Sequence, residues 1–441
     1  MGVSQASAEG ERSSGIGPRA WRIVTANGLC HVGSGLTLPF LLVYLHVARG
    51  IGLGTVGLVL GTIGLAGLLC TPLVGWLADT LGPGIALVAA LLTASAGTGC
   101  FALATDPVLA FTAAAIFGAG AASMWSALFS LLAEIVPPDR HVRVFSFNNA
   151  AANIGIGAGA AIGGLMLGNR SPRPYQLMFV IDMIAFALFA VVLVLTGEAV
   201  RARPRPGASP PAQTGQPAST RANWRTVLAD RRLLLVTGLN ALLIAAVSSQ
   251  LTAAFPAWAI GPAQSSAGVI GLAFFVNTFL VVALQPVLIG RIENVARTTA
   301  AAAAALLFAG GWLVILIAPL GRGGSLTSLT LIAGLVLAAF GEIFLAPSLS
   351  ALVNGLATGP MRGRYNAFFN IGWQVGPIVG PVVAGLMIGH GMAGPLIAGL
   401  AGACLLAAAY AGALRRIMPA EANGIASSSR AAYKTGQPTV G

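Results

Sequence analysis

A chain of 441 residues that is 56% hydrophobic and only 8% charged is not built like a soluble domain, which carries about a quarter charged residues. Its 58 glycines, many inside apolar runs, also argue against a soluble helical bundle, whereas membrane helices use small residues to bring backbones together. The net charge of +12 does not mark a nucleic-acid partner, because the basic residues fall between apolar segments and not along one aromatic-laced face.

In chain order, Met1–Arg19 is rich in Ser and Gly, carries Glu9 and Glu11, and lacks the basic n-region and cleavage site of a signal peptide. Residues 1–20 are therefore expected to be a disordered cytoplasmic tail, with the first apolar segment retained as a helix. Crossing the hydrocarbon takes roughly 20 mostly apolar residues. Six such spans follow: Ile23–Val47, Leu53–Leu77, Gly84–Ala104, Pro107–Ile135, Val144–Leu167 and Gln176–Thr196. Residues 198–232 then form a basic, Pro-rich linker with five Pro and seven Arg, a composition that cannot bury a core. Its end, Asn223–Arg232 with Trp224, reads as a solvated basic loop or a short interfacial helix. The second set of spans is Leu233–Phe255, Ala267–Ile289, Thr298–Leu320, Leu326–Asn354, Tyr365–Ile388 and Met392–Leu414, and residues 417–441 form a tail. Cys30, Cys70, Cys100 and Cys404 all lie in apolar segments and never pair as CxxC, so free thiols are expected, with no disulfide framework and no metal site.

The expected fold is all-α and integral to the membrane: twelve helices in two six-helix bundles, residues 21–197 and 233–416. If both termini and the linker are cytoplasmic, 20 of the 24 Lys and Arg lie on the inner side, leaving only Arg49, Arg170, Arg173 and Arg322 outside. The halves also match each other. Aligning Arg143 with Arg364 without a gap pairs Asn149 with Asn370, Asn153 with Gln374, Gly155 with Gly376, and Gly159 with Gly380. A parallel six-plus-six repeat is one of the transporter plans.

Several stretches carry a family resemblance. Gly75-Trp76-Leu77-Ala78-Asp79-Thr80-Leu81-Gly82 resembles the G-x-L-A-D-[RK]-x-G-[RK]-[RK] loop motif of the major facilitator superfamily, with Thr80, Pro83 and Gly84 in place of its basic residues. The resemblance implies that Asp79 braces the junction of helices two and three against the opposite bundle when the transporter opens outward. Arg140 and Arg143 fit the family's inner-face loops, and Gly290-Arg291-Ile292-Glu293-Asn294 is a degenerate echo of the motif in the second half. Gly155, Gly159, Gly163 and Gly164 resemble the antiporter motif G-x-x-x-G-P-x-x-G-G with Ala160 at the Pro position, and Gly372, Gly376, Pro377 and Gly380 repeat it with the Pro. Glycines four apart permit backbone contact, and Pro377 should bend its helix.

Ionisable groups inside a membrane are costly and mark candidate sites. Of twelve acids only Asp182 and Glu342 lie well inside a span. Glu342 sits about twelve residues from the inner end of the tenth span, close to mid-bilayer at about 1.5 Å per residue. Asn27, His31, Asn153, Asn240, Asn277, Asn370 and Gln374 complete the candidate substrate or proton set, with Gln250, Gln285, Trp125, Trp258 and Trp373 as further cavity candidates. Amides and aromatics suit an amphipathic organic substrate better than an ion. The family's helix-four antiporter motif would place Arg at residue 114 and Gln at 117, where this chain has Ala114 and Phe117. The resemblance points to an efflux-type, drug–proton-antiporter-like permease: a monomer in the lipid bilayer, moving a small organic compound, with protons as the candidate coupling ion and no cofactor. A proton-independent uptake permease is the second expectation. Scattered His and unclustered acids argue against a membrane-embedded enzyme, and no Gly-Lys-Ser/Thr phosphate loop is present to couple ATP.

Overall fold

The computed structural model describes residues 16–167, 171–198, 224–292, 294–357 and 361–425. The N-terminal residues, most of the linker, Glu293 of the motif echo and the end of the tail lie outside them. Among the described residues the chain forms twelve long helices and no strand. They are α1 (Pro18–Ala48), α2 (Leu53–Leu81), α3 (Pro83–Leu103), α4 (Pro107–Ile135), α5 (His141–Met166), α6 (Pro172–Leu195), α7 (Arg231–Ile260), α8 (Ala267–Ile292), α9 (Arg297–Gly321), α10 (Ser325–Leu356), α11 (Arg362–Gly389) and α12 (Ala393–Leu414). Eleven are long and apolar enough to cross a membrane. The twelfth, α5, is long enough at 26 residues, but Asn148, Asn149, Asn153 and its glycines dilute its apolar character.

Lipid offers no hydrogen bonds, so each spanning helix satisfies its own backbone and its ends are closed locally. Asp106 accepts from Leu109 N at 3.0 Å ahead of Pro107 at the start of α4. Asp230 accepts from the N–H groups of Arg232 and Leu233 at the start of α7, and Tyr365 on α11 donates to its second oxygen at 2.7 Å. The segment just before Asp230 is helical over Trp224–Ala229, so of the two sequence alternatives for it the loop gives way to a short helix. Arg19 grips Glu198 with Nε at 2.8 Å and Nη2 at 2.6 Å, joining the start of α1 to the end of α6. Beyond α12, Asn423 folds back to cap α9: its Oδ1 accepts from Thr298 N at 2.9 Å, and its Nδ2 donates to Thr298 Oγ1 at 3.0 Å.

One expectation needs correction. The Gly75–Gly82 stretch is not a loop between helices. Nothing in it breaks a helix before Gly82, so α2 continues through Asp79 to Leu81, and the Thr80 hydroxyl donates to the Trp76 carbonyl at 2.8 Å. The turn is Gly82 alone, at φ +98°, followed by Pro83 at the first position of α3.

The six-helix repeat is visible in matched crossings. Gly155 and Gly159 of α5 lie directly on the α1 backbone at Gly28 and Val32, and Gly376 and Gly380 of α11 lie on α7 at Ile244 and Ser249. By compactness the helices form two units. One holds residues up to Thr37, Leu65–Gly159 and α6; the other holds Leu38–Gly64, the end of α5 from Ala160, and everything from α7 onward. Within the second unit, Gly57 of α2 meets Gly385 of α11, and Gly164 of α5 meets Gly271 of α8.

A methyl group at Gly159 would overlap the Val32 carbonyl, whereas one at Gly402 on α12 would meet nothing. Gly159→Ala is therefore expected to lower the melting temperature of the detergent-solubilised protein, at a cost of about 1–3 kcal/mol for overpacking. Gly402→Ala should leave it unchanged or raise it, because alanine is the better helix former by about 0.5–1 kcal/mol.

Candidate transport site

In the first unit the polar side chains gather where α5 crosses α1. Asn148 lies seven residues before Gly155, two helical turns back, and so on the face that meets α1. Asn27 Nδ2 donates to Asn148 Oδ1 at 3.0 Å, and both side chains are fully buried. Their other polar atoms, Asn27 Oδ1 and Asn148 Nδ2, have no hydrogen-bond partner among the described residues. One turn on, His31 Nδ1 lies 2.9 Å from the Asn27 carbonyl. A carbonyl can only accept, so Nδ1 carries a proton, and in the neutral ring Nε2 is left as an acceptor. The His31 ring stands edge-on to Trp125 of α4 at 5.3 Å. Asn153, by contrast, turns back on its own helix and donates to the Asn149 carbonyl at 2.9 Å.

The two embedded acids differ in their surroundings. Asp182 on α6 has no exposed surface; Thr37 donates to its Oδ2 at 2.8 Å, and Ser34 approaches its Oδ1 at 3.5 Å. Its backbone sits over Gly33, where any side chain would collide with it. Asp182 is thus a bracket between α6 and α1. Glu342, in the middle of α10, keeps part of its surface accessible. Asn277 of α8 lies within hydrogen-bonding reach of its carboxyl and also donates to the Leu335 carbonyl at 3.2 Å.

The remaining candidates of the second unit divide by exposure. Asn240 is buried against Gly372, and its Nδ2 has no partner among the described residues. Gln250 is buried and donates to the Gly380 carbonyl at 3.0 Å, in the stretch of α11 bent by Pro377 and Pro381. It follows a π-helical turn in α7, Ile244–Ser248, onto which Trp312 of α9 donates through the Ala246 carbonyl at 3.0 Å. Trp258 is spent on the Ile315 carbonyl at 2.9 Å. Asn370 and Trp373 are exposed on α11, and Gln374 is half-buried. Gly163 is buried in α5.

The loop-motif residues stand apart. Gly75 is open, and Asp79 is exposed with no ion-pair partner among the described residues. Arg143 is exposed over the Phe147 ring at 5.7 Å, and Arg140 lies 3.6 Å from Asp139. Ala114 and Phe117, where the antiporter arginine and glutamine would be, are packed in, with Phe117 edge-on to Phe101 and Phe186. Sequence reasoning missed Asn148, Ser34 and Thr37. The seven-residue step from Gly155 was the signal for Asn148; no sequence signal marks the two hydroxyls.

A family model described as Major Facilitator Superfamily matches residues 23–262 and 239–436, which together span almost the whole apolar chain. The chain belongs to the major facilitator superfamily. It is a membrane transporter and not an enzyme. The quinolone resistance protein NorA of Staphylococcus aureus is 26% identical over 215 residues, 48% of this chain and 53% of that protein. The uncharacterised MFS-type transporter YqjV of Bacillus subtilis is 24% identical over 199 residues, 45% of this chain and 46% of that protein. The chain thus matches about half the length of these curated relatives. Among solved structures, the POT family transporter PepTSo superposes with a TM-score of 0.72 at 16% identity, covering 91% of this chain and 99% of that one. The nucleoside transporter NupG gives 0.68 at 15% identity, covering 90% and 99%. At such identity the likeness is one of superfamily fold.

If Asp182 is a bracket, Thr37→Val should destabilise the protein by about 1–3 kcal/mol, the cost of removing a donor from a buried acceptor. Adding Asp182→Asn to that background should cost less than Asp182→Asn alone, because the two share one interaction. Melting curves of the four proteins measure this coupling, and strictly additive losses would refute it.

Proposed function

We propose that this transporter exports small amphipathic organic compounds and is driven by protons returning through Glu342. The observation that carries the proposal is the contrast between the two embedded acids. Asp182 is enclosed and held by hydroxyls, while Glu342 is mid-helix with accessible surface and an amide neighbour. A carboxyl able to exchange protons and report its charge to neighbouring helices has to be reachable. Similarity to the quinolone resistance protein NorA supports export of an organic compound. The packed Ala114 and Phe117 mean that the proton route does not use a helix-four arginine.

The Arg-rich connections favour an orientation with both termini and the linker 198–232 in the cytoplasm, and we read the protein as a monomer with residues 21–197 and 233–416 as its moving bundles. On this orientation the crossings of Gly57 with Gly385 and Gly164 with Gly271 lie at the outer ends of the helices. They hold α2 to α11 and α5 to α8 at those ends, which we read as the state closed to the outside. The exposed Asp79 fits the same state, since its bracing role belongs to the outward-open one. Opening outward then means parting α2 from α11.

Glu342→Gln keeps the shape and removes the proton site. In proteoliposomes the variant is expected to lose transport driven by an imposed proton gradient while retaining exchange of substrate against substrate. Gradient-driven transport at the wild-type rate would contradict the proposal, and wild-type transport that survives an uncoupler would favour the proton-independent uptake reading.

A further inference from the structure

The first unit contains two aromatic clusters built in opposite ways. Phe101, Phe117, Phe179 and Phe186 are ordinary core, each at most 4% exposed. The other is a ladder along α4 and α5 that leaves its rings half-open. From His31 it passes to Trp125, which stacks on Phe129 with centroids 5.8 Å apart and planes at 26°. Phe129 meets Phe145 edge-to-face at 4.9 Å and 87°, and Phe145 lies beside His141 at 5.7 Å. Trp125, Phe129, Phe145 and His141 are all half-buried, although the same unit can bury aromatics completely. The ladder begins on the bundle's interior, because α1 is the most buried of the eleven apolar spans and His31 is 4% exposed.

A second observation marks the deep end as unfinished. There Asn27 Oδ1 and Asn148 Nδ2, both in fully buried side chains, have no partner among the described residues. His31 Nε2 adds a lone pair one turn away. Unmet buried donors and acceptors are costly and call for a partner.

We propose that this wall is the recognition surface for flat aromatic ring systems. The open ring faces and edges would take the ligand's own rings by offset stacking or edge-to-face contact, arrangements that need centroids about 4.5–7 Å apart. The amide pair and His31 are at most 4% exposed and would reach a carbonyl, N–H or ring nitrogen at its leading edge through a bridging water. An aliphatic ligand of similar bulk gains only the apolar burial. The proposal deepens the export reading and rests on it for the direction of transport, but recognition itself needs no gradient.

The test is equilibrium binding to the purified full-length protein by titration calorimetry, without any proton gradient. The probes are acridone, a flat neutral tricyclic ketone, and dicyclohexyl ketone, of similar carbon bulk and the same carbonyl but no ring face. Wild-type protein should bind acridone about tenfold or more tighter than the saturated ketone, a margin that a few ring contacts supply. Trp125→Leu and Phe129→Leu keep apolar bulk, and each should weaken acridone about three- to tenfold with less than a twofold effect on the ketone. Phe145→Leu serves if either fails to fold, and Trp224→Leu, outside the ladder, should change neither. Absence of acridone binding, equal affinity for the two probes, or equal losses in the leucine variants would overturn the proposal. Glu342→Gln should still bind acridone, so a failure of proton coupling leaves this inference standing, and a failure here leaves the coupling test intact.

Discussion

Two membrane helices surrounded by lipid gain little from hiding apolar surface from each other, so they associate through close contact of their backbones. In this chain that constraint is met by glycine where α5 lies on α1 and α11 on α7. The rest follows from it. With α5 flat against α1, Asn148 reaches Asn27 and His31 reaches Trp125. With α11 flat against α7, Gln250 reaches the Gly380 carbonyl beside two prolines that have already loosened the helix. Polar chemistry in the membrane is thus placed by positions that carry no side chain.

The same packing decides which acid is free to act. Gly33 lets Asp182 come so close to α1 that Thr37 and Ser34 close over it, and the group becomes part of the scaffold. Glu342 is half-buried and has no hydroxyl pair closing over it; its neighbour is an amide that can adapt to either protonation state. The departures from regular helix lie elsewhere, in the π-helical turn of α7 and at Pro377 and Pro381 of α11, which face each other within one unit.

Much of this was legible in the amino-acid order. Apolar runs located all twelve helices, and the Gly155–Gly376 alignment anticipated the matched crossings, because spacing along a helix maps directly onto one face. Other features were not. The end of α2 extended past the motif because a polar, exposed turn such as Asp79-Thr80 is as compatible with helix as with loop once no Gly or Pro intervenes. Asn148 and Asn149 are adjacent in sequence but point about 100° apart, and only the crossing with α1 selects the first. Ser34 and Thr37 look like ordinary small helix residues until Asp182 arrives from α6. The capping of α9 by Asn423 joins residues too far apart for any local pattern to reveal.

In the proposed export cycle α2 and α11 part at their Leu53 and Gly389 ends each time the transporter opens outward. Gly389 lies against Gly54, with a Cβ at Gly389 3.3 Å from Gly54 N, so a cysteine pair at these positions is the place to test a cross-link. In protein lacking its four native cysteines, oxidation of the Gly54→Cys/Gly389→Cys pair should stop transport in proteoliposomes, and reduction should restore it, with either single variant unaffected. Undiminished transport by protein that is fully cross-linked at this pair would contradict the account.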